Sequence, residues 1–145
     1  MNAEKSYADR DVLDKLGIRD GMRIRLSGAV PAQLRERIAG RDAVDMVLED
    51  DAQPVNLVLV ALDEGSASRA AFAELRRQIV PDGAVWALTP KRGSPGYVKQ
   101  ESLIPLGKGA GLVDNKICSV DDATSAIRFV IPVAQRERPG TGAVH

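Results

Sequence analysis

The run Val55-Asn56-Leu57-Val58-Leu59-Val60-Ala61-Leu62 constrains this chain more than any other feature. Side chains of a strand alternate between the two faces of a sheet, so a run that is apolar at nearly every position needs cover on both faces. That is the mark of a central parallel strand under helices, and it excludes a sheet with one wet face. Ala84-Val85-Trp86-Ala87-Leu88 reads as a second covered strand.

The remaining segments supply the matching parts. Asp11 caps a short helix carrying Val12, Leu13 and Leu16, stopped by Gly17. Asp20-Gly21 turns the chain into a first strand, Met22-Arg23-Ile24-Arg25-Leu26. Pro31 opens a helix with Leu34 and Ile38 on one face, and Gly40 ends it. Residues 43–48 form a strand before the acidic turn Glu49-Asp50-Asp51. A helix over 66–79 aligns Ser68, Phe72, Leu75 and Ile79, with Arg69, Arg76 and Arg77 outward. Pro81-Asp82-Gly83 is a turn, and Pro90-Lys91-Arg92-Gly93-Ser94-Pro95-Gly96 is a loop by composition. A helix near 101–106, bent or interrupted at Pro105, precedes Gly107-Lys108-Gly109-Ala110-Gly111, which reads as a helix stop and turn. The last strands, 112–120 and 126–133, are joined by a link too short for a crossover helix, so they are antiparallel neighbours. Asp114-Asn115-Lys116 within the first of them marks a bulge or a polar sheet edge. Pro132 suits an edge or a strand end.

Strands alternating with helices imply a three-layer, Rossmann-like, mostly parallel α/β sheet with right-handed crossovers, closed by an antiparallel C-terminal pair. The chain has 145 residues, which on the usual scale of about 100–200 residues per domain is one domain. We assign residues 1–10 to a frayed N-terminus, 11–134 to the domain and 135–145 to a flexible tail.

Rare residues narrow the chemistry. The only histidine, His145, is the last residue, and a frayed end does not hold a general base in place. Cys118 is the only cysteine, so no intrachain disulfide or cysteine-rich metal site forms, and its apolar neighbours mark it as a small buried hydrophobe. Twenty basic and twenty acidic residues cancel, which removes the driving force for DNA wrapping or for adhesion to an anionic membrane. The few aromatic residues make no base-stacking platform. No apolar stretch approaches the roughly 20 residues of a membrane span, and the N-terminus lacks a secretory core. The expectation is a cytoplasmic protein with no nucleic-acid or membrane partner.

The element order is that of the S-adenosylmethionine-dependent methyltransferase fold, less one strand and helix, and Val80-Pro81-Asp82-Gly83 before Ala84-Val85-Trp86 resembles a turn of those enzymes. Four segments together also resemble a small bacterial family described as a domain of unknown function, number 3052. They are Lys15-Leu16-Gly17-Ile18-Arg19-Asp20-Gly21-Met22, Pro81-Asp82-Gly83-Ala84-Val85-Trp86, Pro90-Lys91-Arg92, and Gly111-Leu112-Val113-Asp114-Asn115-Lys116-Ile117-Cys118-Ser119-Val120-Asp121. Where relatives have an acidic-Thr-Trp-Ser-Gly turn next, this chain has Asp122-Ala123-Thr124-Ser125-Ala126. The resemblance implies a fold and no activity.

In such sheets ligands sit beyond the carboxyl ends of the parallel strands. The candidates are Ser27 and Gly28, Glu49 or Asp50, Asp63 with Glu64, and Thr89-Pro90-Lys91-Arg92 with Lys99 nearby. Lys91 and Arg92 form a cation pair suited to a phosphate or carboxylate, against the plainer reading of a solvated basic loop. Asp63 and Glu64 either face Lys91 or cap the next helix. Glu49 or Asp50 could meet a cofactor ribose, but Ser27-Gly28-Ala29-Val30-Pro31 has one glycine and a proline where a cofactor loop needs free backbone. No cofactor is expected, S-adenosylmethionine included. Three functions stand: a non-catalytic module binding a small anionic ligand or a protein partner at Lys91 and Arg92, a minimal methyltransferase-like enzyme, or a homo-oligomer component joined through an edge strand at 126–133.

Overall fold

The computed structural model describes residues 12–41, 44–47 and 53–135. The Asp11 cap, the frayed 1–10 segment, Glu49-Asp50-Asp51, the tail beyond 135 and His145 lie outside the described residues. Six strands form one sheet: β1 (Arg23–Ser27), β2 (Asp45–Val47), β3 (Val55–Ala61), β4 (Ile79–Pro90), β5 (Val113–Ser119) and β6 (Thr124–Val130). Their order is β2-β1-β3-β4-β6-β5. The β1–β2, β1–β3 and β3–β4 pairs are parallel, and β6 runs antiparallel to both β4 and β5. Among the described residues, three helices follow a helical turn at 12–15 in chain order: α1 (Ala32–Ala39), α2 (Arg69–Arg77) and α3 (Gln100–Gly109).

The alternation within β3 builds the layers. Leu57 and Leu59 join Ile24, Trp86 and the α1 residues Leu34 and Ile38 in one core. Val58 and Val60 join Val85, Ile127, Phe129 and Phe72 of α2 in the other. Both faces of the central strand are thus covered, as its composition demands. Trp86 is fully buried in the first core and donates its Nε1–H to the carbonyl of Leu16 at 2.8 Å. That bond ties the helical turn at 12–15 and its exit loop to the sheet. On the other face, Phe72 and Phe129 pack with ring centroids 4.8 Å apart.

The structure corrects four sequence expectations. Pro81-Asp82-Gly83 belongs to β4 rather than to a turn before it. There the register jumps from Val55 opposite Ile79 to Leu57 opposite Ala84, so the segment is a bulge between paired residues. Second, α2 starts at Arg69 with Ser68 as its cap, whose side chain accepts from the amide of Ala71 at 3.0 Å. Arg76 of this helix is half-buried and donates to the carbonyl of Gly111 at 3.3 Å instead of facing outward.

Third, α3 runs through Pro105 and Gly107 to Gly109. Gly107 is no stop signal, because a Cβ there would sit 2.5 Å from a ring carbon of Phe129. The glycine lets the helix lie against the sheet. Fourth, the 126–133 segment is not an edge, because β6 is bonded on both sides, to β4 and β5. The edge is β5, and Asp114-Asn115-Lys116 is its bulge, with Asn115 and Lys116 exposed. The backbone of residues 126–130 is therefore not an open edge, since it is paired on both sides.

Candidate ligand-binding site

In the strand order, the chain leaves β1 toward β2 and leaves β3 toward β4, so the switch point falls between β1 and β3. A cavity of about 480 Å³ opens there, beyond the carboxyl ends of β1, β3 and β4. Its wall is mostly apolar: Ala29 and Pro31 from the loop after β1, Ala61 and Leu62 from β3, Leu88 from β4, and Pro95 from the loop after β4. A smaller cavity of about 200 Å³ adjoins it, and Thr89 and Pro90 line both. Lys91, Arg92, Tyr97 and Gln100 complete the smaller one, with Val98 and Ser125.

The hydroxyl of Thr89 and the side-chain NH2 of Gln100 are buried, and neither finds a hydrogen-bond partner among the described residues. Thr89 itself is 1% exposed. Buried polar groups are nearly always paired, because each unpaired one keeps its full desolvation cost, so two at one small cavity call for an explanation. Around them the charge is positive. The Arg92 guanidinium lies 5.9 Å from the Tyr97 ring centre, within cation–π range. Lys91 donates its ammonium to the Ser119 hydroxyl at 2.6 Å and its backbone N–H to the Ala123 carbonyl at 2.8 Å, which anchors the cation to the β5–β6 turn. Helix α3 begins at Gln100 with no side-chain cap at Lys99, so its positive end also borders this cavity. Exposed Glu101 is the one acidic residue of its first turn.

Asp63 lines the larger cavity, but its carboxylate is committed locally. It accepts from the Gly65 amide at 2.9 Å and from the Ser66 amide and hydroxyl at 3.0 Å each. The Ser66 hydroxyl first, then the Gly65 and Ser66 amides, hold it below the usual carboxylate range. These hydrogen bonds close its own turn rather than cap α2, and so weak a base is unsuited to taking a proton. Glu64 is exposed. Among the described residues, no group of His, Cys, Asp and Glu side chains is placed to hold a metal ion.

Gly28 is required by its own loop. Its φ is +74°, and a Cβ would meet the Ala61 carbonyl oxygen at 3.0 Å. Its open side is therefore turned toward β3. The Val30 amide returns to the Gly28 carbonyl at 2.9 Å, and Pro31 caps α1 without an N–H. Ser27 ends β1, paired with Val60, and lines neither cavity. Of the residues proposed from sequence, Lys91 and Arg92 share the smaller cavity and Asp63 lies on the larger, while Glu49 and Asp50 are outside the described residues. Gln100 and Tyr97 were not foreseen. They reach the site because the loop after β4 folds back, and no local pattern announces that.

A six-stranded, mostly parallel sheet with its last strand inserted antiparallel, and with its crevice at the β1–β3 switch point, defines a methyltransferase-like Rossmann fold. Solved structures agree. A TehB-like SAM-dependent methyltransferase from Corynebacterium glutamicum superposes with a TM-score of 0.55 at 13% identity, covering 90% of this chain and 98% of its own. A SAM-dependent methyltransferase from Aquifex aeolicus gives 0.59 at 12%, covering 84% and 89%. The [4+2]-cyclase SpnF gives 0.62 at 12%, covering 88% and 80%. At such identities the likeness shows the fold alone, and the activities named for these proteins already differ. The chain belongs to the DUF3052 family, described as a protein of unknown function, which matches residues 13–133. No curated protein matches the sequence. No described helix is long and apolar enough to cross a membrane.

The methyltransferase likeness raises S-adenosylmethionine as a ligand, and the described residues do not fit it. A cofactor cradle needs amides and glycine faces turned to the ligand after β1. Here the residues of that loop that line the cavity are Ala29 and Pro31, the second without an N–H, while Gly28 is closed against Ala61.

Proposed function

We propose that this chain is a non-catalytic Rossmann-like binding module that takes a small anionic ligand at the carboxyl edge of its sheet. The observation that carries the reading is the pair of buried donors, Thr89 hydroxyl and Gln100 amide, without partners at the cavity that Lys91 and Arg92 border. A hydroxyl, an amide NH2 and two cations together favour a ligand rich in acceptor oxygens. A cavity of about 200 Å³ suits a small molecule better than the flat face of a protein partner, so the small ligand is preferred.

Titration of 15N-labelled full-length protein with sodium acetate and inorganic phosphate, at constant ionic strength, tests this. Saturable shifts at Thr89 and at the Gln100 side-chain amide are expected, and a Lys91→Gln/Arg92→Gln double variant should bind at least about tenfold more weakly. Absence of saturable shifts would overturn the proposal. The fold likeness keeps one alternative in view, a minimal methyltransferase. Saturable micromolar binding of S-adenosylmethionine in a calorimetric titration would favour it instead.

A further inference from the structure

We infer that the ligand is amphiphilic: an organic carboxylate whose head enters the smaller cavity and whose apolar body fills the larger one. This rests on the anion-binding reading above and goes on to name the chemical class. The two cavities share a wall at Thr89 and Pro90 and differ sharply in character. Free phosphate or acetate would use only the smaller, of about 200 Å³. The larger, about 480 Å³, falls within the roughly 300–1,000 Å³ of small-molecule sites and is walled by Ala29, Pro31, Ala61, Leu62, Leu88 and Pro95. Its polar side chains are few, Asp63, Thr89, Ser94 and Thr124, and the Asp63 carboxylate is occupied by its own turn.

Charge sets the direction. Asp63 stands in the wall of the apolar chamber and repels an anionic head, while Lys91, Arg92 and the start of α3 attract it to the other side of Thr89. The head is therefore placed beside the buried donors and the body is left among apolar side chains.

The test is a series of straight-chain carboxylates, acetate, butyrate, hexanoate and octanoate, titrated into full-length protein below their micellar concentrations. Burying each methylene should raise affinity about threefold to fourfold until the chamber is filled. Ala61→Leu, which narrows the chamber, should flatten that dependence on chain length. Ala29→Leu, from an exposed position on the loop, should do the same if the first variant folds poorly. Arg92→Gln should weaken every member equally and keep the slope. If acetate and phosphate bind but affinity is flat across the series, the amphiphile is wrong and the anion site stands. A slope that survives both leucine variants places the tail elsewhere and also overturns the inference. If no member and no phosphate binds, the underlying reading fails with it.

Discussion

Thr89→Val should make the ligand-free protein more stable while removing its ligand binding. Thr89 sits on β4 opposite Ser125 of β6, is 1% exposed, and keeps its hydroxyl unpaired among the described residues. An unpaired buried hydroxyl costs about 1–3 kcal/mol in lost hydration. Valine has the same branching and suits a strand equally well. It replaces the hydroxyl by a methyl whose burial contributes about 0.8 kcal/mol on the scale of a buried CH2 group. A gain of about 2–4 kcal/mol follows, and in a chain of this size each kcal/mol raises Tm by about 2–4 °C. Thr89→Ser retains the hydroxyl and loses the methyl, so it should be destabilised by about 1 kcal/mol. Urea unfolding followed by circular dichroism gives the stabilities, and acetate titration gives the binding. If Thr89→Val is less stable than the parent, the hydroxyl has a partner in solution and the argument for a site loses its carrier. If it is more stable but binds acetate unchanged, the orphaned hydroxyl belongs to no site.

Two glycines of α3 offer a matched pair. A Cβ on Gly107 would lie 2.5 Å from the Phe129 ring, and one on Gly109 would lie 2.5 Å from Cδ of Arg69. Phe129 is fully buried against Phe72, so Gly107→Ala should cost about 1–3 kcal/mol despite alanine's helix preference. The exposed Arg69 chain can swing aside, so Gly109→Ala should be neutral or slightly stabilising, and equal urea midpoints for the two variants would refute this account. Trp86→Phe should cost about 2–4 kcal/mol, because it leaves the Leu16 carbonyl unpaired and a void behind it, and an unchanged midpoint would show that the bond anchors nothing. Asp63, held below the usual carboxylate range, contributes stability that is fully present above its unfolded pKa and lost as pH falls through its folded one. Ser66→Ala removes the first cause of that depression and should raise the Asp63 pKa toward the ordinary value in a carboxyl NMR titration.

The core of the fold was legible because its signal is redundant: β3 is apolar on both faces, and a strand uses such a run where both of its faces are covered. Errors arose where tertiary contact outweighs local preference. Gly107 looked like a helix stop, yet its lack of a side chain serves the approach to Phe129. Pro81-Asp82-Gly83 looked like a turn, yet Gly83 lets the strand bulge close over Asn56, whose carbonyl a Cβ would meet at 2.8 Å. The short link between β5 and β6 fixed their adjacency without saying which of them meets β4. Composition held that answer. Ala126, Ile127, Phe129 and Val130 of β6 are apolar on both faces, whereas Asn115, Lys116 and Ile117 of β5 are exposed. At the smaller cavity, the positions of Lys91 and Arg92 could be read from their place at a strand end. Gln100 could not, because only the folded loop brings it there.

The closed loop after β1 also bears on the proposal of a ligand with an apolar body. In a cofactor-binding Rossmann sheet the first crossover presents amides to phosphate or carboxylate groups. Here the Gly28 turn is spent against Ala61, and Pro31 takes the position of a donor. The residues that line the crevice from that side are Ala29 and Pro31, whose side chains gain from contact with hydrocarbon. The polar task therefore falls to the other side of the crevice, where the end of β4 and the start of α3 bring Thr89, Lys91, Arg92 and Gln100 together. Opening the first loop should reverse that division. A Pro31→Gly variant restores a backbone N–H at the head of α1, and it should weaken octanoate relative to acetate. An unchanged octanoate-to-acetate ratio would show that the first crossover takes no part in recognition.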